Sequence, residues 1–258
     1  MLLGVDSASP VTPALFDQAT AALKQAPRWW ARYLRSGGGA ATPVTRAEVD
    51  LLHARGCAVL LVWNHAGARD VAEGRPTGAV QAALAVEDAR RIGYPAGCMI
   101  PGDIEAPWHP TAEYLVGYAE GLAQAGYSPA FYAASGSVAF ADALRVASAA
   151  SAAVAGAPLW VAAWEGAGGD TVPPWRAQSI DGVPARLWQA VGSADGGRVD
   201  VDESATLQGM WLPPTPAQDA PGHAQAPDPA QQALARLGSA LGAAQTAYDA
   251  LRRAMGGA

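Results

Sequence analysis

Two acids, Asp103 and Glu105, stand two residues apart in "MIPGDIEAPWHP", where an apolar run gives way to Pro, Trp and His. In an extended strand, residues i and i+2 face the same way, about 6.5–7 Å apart. A strand through this stretch puts Asp103 and Glu105 on one face and Ile100 and Ile104 on the other. Burial and mutual repulsion then raise the pKa of one acid. A protonated acid beside an ionised one is the arrangement that glycosidic bond cleavage requires. Asp6 ends another apolar run, "GVDS", and Asp200 and Asp202 repeat the i, i+2 spacing in "RVDVDES", read as the end of the last strand. Aromatic and polar residues gather at the same strand ends: Trp63 beside Asn64 and His65, Trp108 beside His109, Tyr132, Trp164 beside Glu165, and Trp188 beside Gln189. Rings next to acids suit carbohydrate, whose C–H faces pack on indoles while its hydroxyls reach carboxylates. Trp29 and Trp160 sit early in their strands and are expected in the core. His65 and His109 lack the spacing of a metal site, so neither a metal nor another cofactor is expected.

The elements that must position these residues alternate along the first two hundred positions. "LLGVD" reads as a strand and is followed by a helix from about Pro13 to Gln25. "RWWARYL" and a Gly-rich loop come next. Thr45 is placed to cap the helix of "RAEVDLLHAR", with Glu48 at the capping-box position and Gly56 as the stop. "CAVLLVWN", a helix over Ala79 to Ile92, "CMIPGDI", a helix over Thr111 to Gln124, "PAFYAA" and an Ala-rich helix near Ser137 to Ala153 continue the rhythm. After Pro158, "PLWVAAW", "ARLWQAV" and "RVDVDE" read as strands joined by loops. Eight strands with helical crossovers point to a compact α/β barrel whose last crossovers have shrunk to loops. In a closed barrel the first and last strands are neighbours, and active sites lie at the C-terminal strand ends. An open doubly wound sheet is the alternative. "GVDSASP" has neither the dinucleotide fingerprint nor a Walker motif to support it.

Composition narrows the functional classes. The formal net charge is −6, Lys24 is the one lysine, and no basic patch is present, which argues against nucleic-acid binding. Nine Trp against three Phe provide flat faces with a polar handle, useful in a groove and ordinary in a core. No stretch reaches the roughly 18 apolar residues of a membrane span. "MLLGVDSASP" has no basic n-region or long h-region, so no signal peptide is expected. Cys57 and Cys98 each open an apolar run and are expected as buried free thiols, with bridging left to geometry.

The barrel is expected over residues 1–210, a Pro/Ala-rich linker over 211–228, and an amphipathic helix over 229–258 capped by Asp228 with Pro229 at its first position. Leu234, Leu237, Leu241, Ala244, Tyr248, Leu251 and Met255 form a heptad seam in the 229–255 stretch, suited to docking on the barrel or to joining copies in a homo-oligomer or an assembly.

"GVDSAS", "GDIEA", "PLWVAAW", "LWQAV" and "VDVDES", in that order, resemble the strand-end motifs of glycoside hydrolase family 25, the Chalaropsis-type lysozymes. "RYL" with "TRAEVDLLHARG" and "DARRIGYPAG" resemble the glycoside-hydrolase-like barrels related to that family. The resemblance covers roughly residues 2 to 208 and implies an irregular TIM-like (β/α)5(β)3 barrel. It implies a muramidase cleaving the β-1,4 bond between N-acetylmuramic acid and N-acetylglucosamine in peptidoglycan. Glu105 would be the general acid. Asp103 would orient the N-acetyl group or stabilise the charged intermediate, and Asp6 and Asp200 would be supporting carboxylates. Trp63, Trp108, Tyr132, Trp164, Trp188, Gln189 and Asp202 are the expected substrate contacts. The chain departs from the family at Pro101-Gly102, at Trp164 (more often Tyr) and at Ala190, where a Tyr usually follows "WQ". A cell-wall substrate without a signal peptide fits a phage lysin held in the cytoplasm until released, or a virion-borne enzyme. The rival is a non-catalytic glycan-binding or structural barrel, such as a phage tail component.

Overall fold

A computed structural model describes residues 1–35, 41–165 and 170–214. The Gly-rich loop at 36–40, most of the expected linker and the heptad helix lie outside the described residues.

The strands are β1 (Leu2–Asp6), β2 (Trp29–Tyr33), β3 (Ala58–Val62), β4 (Met99–Ile104), β5 (Ser128–Ala134), β6 (Leu159–Ala162), the short β7 (Ser179–Ile180), β8 (Val183–Ala194) and β9 (Val199–Ser204). The helices are α1 (Pro13–Leu23), α2 (Arg46–Ala54), α3 (Ala68–Ala72), α4 (Arg75–Ile92), α5 (Ala112–Gln124), α6 (Val138–Ala150) and α7 (Ala152–Ala155). Thr45 caps α2 in a full capping box with Glu48, and Thr12, Thr111 and Ser137 cap α1, α5 and α6. Each hydroxyl accepts an N–H that the first helical turn leaves unpaired.

The strand order is β3-β2-β1-β9-β8-β6-β5-β4, with β7 appended to β8. β1 to β3 are parallel, as are β4, β5, β6 and β8, whereas β9 runs antiparallel to both β1 and β8. Five strand–helix units followed by three principal strands make the irregular TIM-like (β/α)5(β)3 barrel. Helices cover its outside, and α4 and α5 approach closely. A Cβ on Gly117 would lie 2.1 Å from the Arg75 carbonyl oxygen, and one on Gly78 would lie 2.2 Å from that of Tyr114. Only glycine admits that crossing.

Strand parity divides the core in two. Trp29, Ala31, Ala58, Leu60, Val62, Met99, Ala130, Trp160 and Leu187 fill the barrel interior with Met210. Trp30, Val59, Leu61, Ile100, Ile104, Phe131 and Val161 face the helices. Trp29 and Trp160 meet edge to face at 6.0 Å inside the barrel.

The circle closes between β3 and β4 by a seam of three devices. Near the C-terminal ends, Trp63 N–H donates to the Pro101 carbonyl (2.8 Å) and Asp103 N–H to that of Trp63 (3.0 Å). In the middle, the Tyr94 hydroxyl accepts from Leu61 N–H (3.4 Å) and donates to the Met99 carbonyl (2.9 Å). At the other end the chain returns: Met99 N–H donates to the Gly209 carbonyl (2.7 Å), and Val59 and Trp211 exchange both backbone bonds. Trp211, the first residue of the expected linker, is thus tied to β3. Pro101 sits where β3 and β4 do not pair continuously, so its missing N–H costs the ladder little. Cys57 and Cys98 are both buried and free.

Candidate active site

Inward parity brings the acids together. β1 ends with Asp6, and Asp200, the second residue of β9, is its direct register partner; Asp202 pairs with Gly4 one step deeper. Because β9 is antiparallel, Asp200 lies near the start of the last strand rather than at its end. Its beginning faces the same rim as the ends of the parallel strands. Asp103 comes from β4, and Glu105 follows where β4 has given way to a turn, its carbonyl accepting from Trp108 N–H (3.0 Å).

Burial raises each of these carboxyls, and neighbouring acids add to it at Asp6, Asp103 and Asp202. Burial, Asp200 and Asp202 surround Asp6, whose pKa is pushed up to about 7, chiefly by desolvation and then by the Asp200 charge. Gln189 opposes this by donating Nε2–H to Asp6 Oδ2 at 2.8 Å. Asp103 is raised well above the ordinary carboxyl range by burial and by the charges of Glu105 and Asp6. One of its oxygens, Oδ1, is enclosed without a hydrogen-bond partner among the described residues. Burial also raises Glu105, although its side chain remains exposed at the rim. Asp200 is raised by burial, against the pull of Ser193 N–H, which donates to its Oδ1 at 2.6 Å. Asp202 is fully buried and raised by burial, Asp6 and Asp200. Trp160 Nε1 donates to Asp202 Oδ1 (2.9 Å), while Oδ2 has no donor among the described residues. A proton on Asp202, shared with Asp6, satisfies that second oxygen. Asp202 therefore lies beneath the rim, in contact with protein, and is not the open substrate contact expected from the sequence.

Two tyrosines stand over this group. Burial raises the Tyr33 hydroxyl, followed by the charges of Asp6, Asp103, Asp200 and Glu105. Tyr132 feels Asp6, Asp103, Glu105 and Asp202. Its hydroxyl donates to Gln189 Oε1 at 2.8 Å. Tyr33 was absent from the sequence-derived site, yet the alternation Trp29, Ala31, Tyr33 along β2 points it inward.

The aromatic residues divide. Trp164 is 63% exposed at the rim, donating Nε1–H to Gln189 Oε1 at 3.0 Å. Its indole lies over Gly192, where a Cβ would come within 3.3 Å of the ring. Trp108 is half-buried in the loop after β4, packed against the outer core. Trp63 and Trp188 correct the sequence reading. Both are fully buried on the outward face, Trp63 donating to Gln81 Oε1 and Trp188 to the Ala163 carbonyl, so neither offers a ring to the cleft. Of the positions where the chain departs from the family, Trp164 stands at the rim, whereas Gly102 and Ala190 are turned away. Gly102 lies under the Tyr118 ring, and Ala190 is buried in the outer core. Among the described residues no group of three or more His, Cys, Asp or Glu is arranged to hold a metal ion.

The cluster ties stability to pH. Asp6 has a folded pKa near 7 against about 3.8 unfolded, so its contribution is fully present below about 4 and is lost as pH rises through 7. Asp103, Asp200 and Asp202 shift in the same direction. Stability, followed through the thermal midpoint, is expected to fall between about pH 4 and pH 7, by up to about 1.4 kcal/mol per pH unit for each such proton. Asp6→Asn should flatten that slope; an unchanged slope in the variant would place the titration elsewhere.

The profile of a family described as "Rv2525c-like, glycoside hydrolase-like domain" matches residues 21–206. A crystal structure of an uncharacterized B. stearothermophilus protein is 27% identical, covers 82% of this chain and 100% of its own, and superposes with a TM-score of 0.75. The Mycobacterium tuberculosis Tat-secreted protein Rv2525c, in complex with L-tartrate, is 22% identical at a TM-score of 0.56, covering 82% of this chain and 99% of its own. The modular autolysin LytC of Streptococcus pneumoniae shares the fold at 17% identity and a TM-score of 0.50, over 78% of this chain and 46% of its own. A search of curated proteins found no match.

Proposed function

Since the chain belongs to the family of Rv2525c-like, glycoside hydrolase-like domains, we propose that its rim of carboxyls hydrolyses a glycosidic bond in peptidoglycan, as a muramidase. The observation that carries this reading is the convergence of Asp6, Asp103 and Glu105 on both tyrosines, with Asp200 beside Tyr33, at the C-terminal ends of the parallel strands. Glu105 is the acid best placed to serve as general acid. It is exposed, so a leaving oxygen can reach it, and burial raises its pKa, so it holds its proton to higher pH than a free glutamate. Asp103 is more enclosed, with Oδ1 buried and unpartnered, and it takes the supporting role of orienting the substrate's N-acetyl group or stabilising positive charge developing at the sugar carbon. Asp6 and Asp200 stand opposite, held by Gln189, and complete the negative field under the sugar. Trp164 supplies a ring for a sugar face at the edge.

Purified cell walls of several chemotypes, incubated with the protein and assayed for new muramic acid reducing ends, test the proposal. Their absence from every wall type would favour the second reading, a glycan-binding barrel without hydrolysis. That reading draws on the number of protonated acids in the cluster, which can donate to and accept from sugar hydroxyls. A phage origin, as a lysin or a virion-borne enzyme, belongs to the proposal as the route by which the barrel would meet a cell wall.

A further inference from the structure

Gln189 lies on β8, nearly fully buried beneath the rim, and every hydrogen-bonding capacity of its carboxamide is used. Its Oε1 accepts from Trp164 Nε1 (3.0 Å) and the Tyr132 hydroxyl (2.8 Å). Its Nε2 donates to Asp6 Oδ2 (2.8 Å) and to Asp200 Oδ2 (3.4 Å). The assignment of oxygen and nitrogen is forced, because an indole N–H only donates and so must meet Oε1. With two lone pairs and two N–H groups engaged, nothing remains for a substrate. The expectation of Gln189 as a substrate contact therefore gives way to another role.

The amide joins two places that differ in exposure. Trp164 stands in solvent, while Asp6 is 5% exposed. The Trp164 backbone is fixed on both sides, since Ala163 N–H donates to the Gln189 carbonyl (3.1 Å) and Glu165 N–H to that of Ala190 (2.8 Å). Among the described residues, the indole itself is held by one hydrogen bond and by its contact over Gly192. We infer that Gln189 is a positioning residue coupling the exposed indole of Trp164 to the carboxyl of Asp6, so that a sugar ring seated on Trp164 is sensed at Asp6. The sugar as occupant rests on the proposed function; the coupling itself does not.

The chemistry is direct. A ring stacking on Trp164 fixes the indole, which fixes the Gln189 oxygen and thereby aims its N–H at Asp6. A firmer N–H bond favours the ionised carboxylate. The groups that bear on Asp6 from the surrounding strands are Asp200 and Asp202 on β9, Asp103 on β4 with Glu105 beyond it, Tyr33 on β2 and, through its charge from the outward face of β2, Arg32; Tyr132 on β5 also bears on the cluster. Among the described residues none of them shares a hydrogen bond or ring contact with Trp164, so the amide is the connection between indole and acid.

The test is a carbon-13 NMR titration of the Asp6 carboxyl in the full chain without ligand, which is independent of any hydrolysis. Trp164→Phe keeps a flat aromatic face while removing the N–H together with the second ring of the indole. It is expected to move the Asp6 midpoint upward by about half a pH unit, and Gln189→Met by about one unit or more. A role for Trp164 confined to packing or to stacking with ligand would leave the midpoint at its wild-type value in Trp164→Phe. That result would overturn the coupling, even with Gln189→Met shifted. Trp164 is a surface side chain, so its variant keeps the test decisive if Gln189→Met does not fold. Failure of the cell-wall assay with a shifted midpoint would remove the muramidase reading and leave the coupling intact.

Discussion

Glu105→Gln is expected to lower release of reducing ends from cell-wall glycan by about 10²–10⁴-fold, the range that a general acid contributes. The amide keeps the size and polarity of the side chain but has no proton of suitable acidity to give to a leaving oxygen. Glu105 is exposed and follows the end of β4, so stability should change by no more than a surface substitution does, about ±0.5 kcal/mol. The same role sets the sign of the pH dependence. Burial raises the pKa of Glu105, and activity that needs its protonated form is lost as pH rises through that raised value. A Glu105→Gln protein that cleaves walls at the wild-type rate would assign the acid elsewhere in the cluster, with Asp103 next in line.

Arg32→Met is expected to cost about 3–5 kcal/mol of stability, read as a fall in urea midpoint at constant slope. Arg32 is fully buried on the outward face of β2, its Nε 2.9 Å from Glu48 Oε1. Its Nη1 donates to the carbonyls of Ser7 (2.6 Å) and Ala8 (3.2 Å), and its Nη2 to that of Thr42 (3.1 Å). Glu48 also accepts from Val11 N–H and closes the cap of α2. One guanidinium thus anchors the loop after Asp6, and its removal leaves a buried carboxylate and several carbonyls short of donors. Arg46 and Asp50 form an exposed pair on α2 for contrast. Arg46→Met should cost under about 1 kcal/mol from that pair. Equal losses from the two substitutions would mean that burial is not what gives the Arg32 network its weight.

Much of this arrangement was legible because strands have a period of two. Alternation in "MIPGDIE" puts Asp103 inward and Ile100 and Ile104 under the helices, and closure makes β1 and β9 neighbours. The same parity was not carried through at "VWN" and "LWQ". Adjacent strand residues cannot both face the cleft, so an inward Gln189 requires an outward Trp188. The direction of β9 was also readable. Asp195-Gly196 stands between two alternating runs, a strong hairpin signal, and Asp195, Gly196 and Gly197 all have positive φ. The seam was not readable. Its partners, Val59 with Trp211 and Met99 with Gly209, are brought together only by closure, and no local pattern in "QGMW" marks it as strand-like.

That seam has a consequence for how the chain is made. β1 emerges before the other strands of the barrel but lacks its β9 neighbour until Asp200 and Asp202 follow, and β3 gains its last partner, Trp211, later still. At roughly 5–20 residues per second, that wait is on the order of ten seconds. During it the nascent half-barrel carries an open strand edge and an unfilled floor. The acids of the rim are meanwhile wet and at their ordinary pKa values, since the burial that shifts them arrives with closure. The unusual chemistry of the rim is therefore acquired last, in the step that seals the barrel.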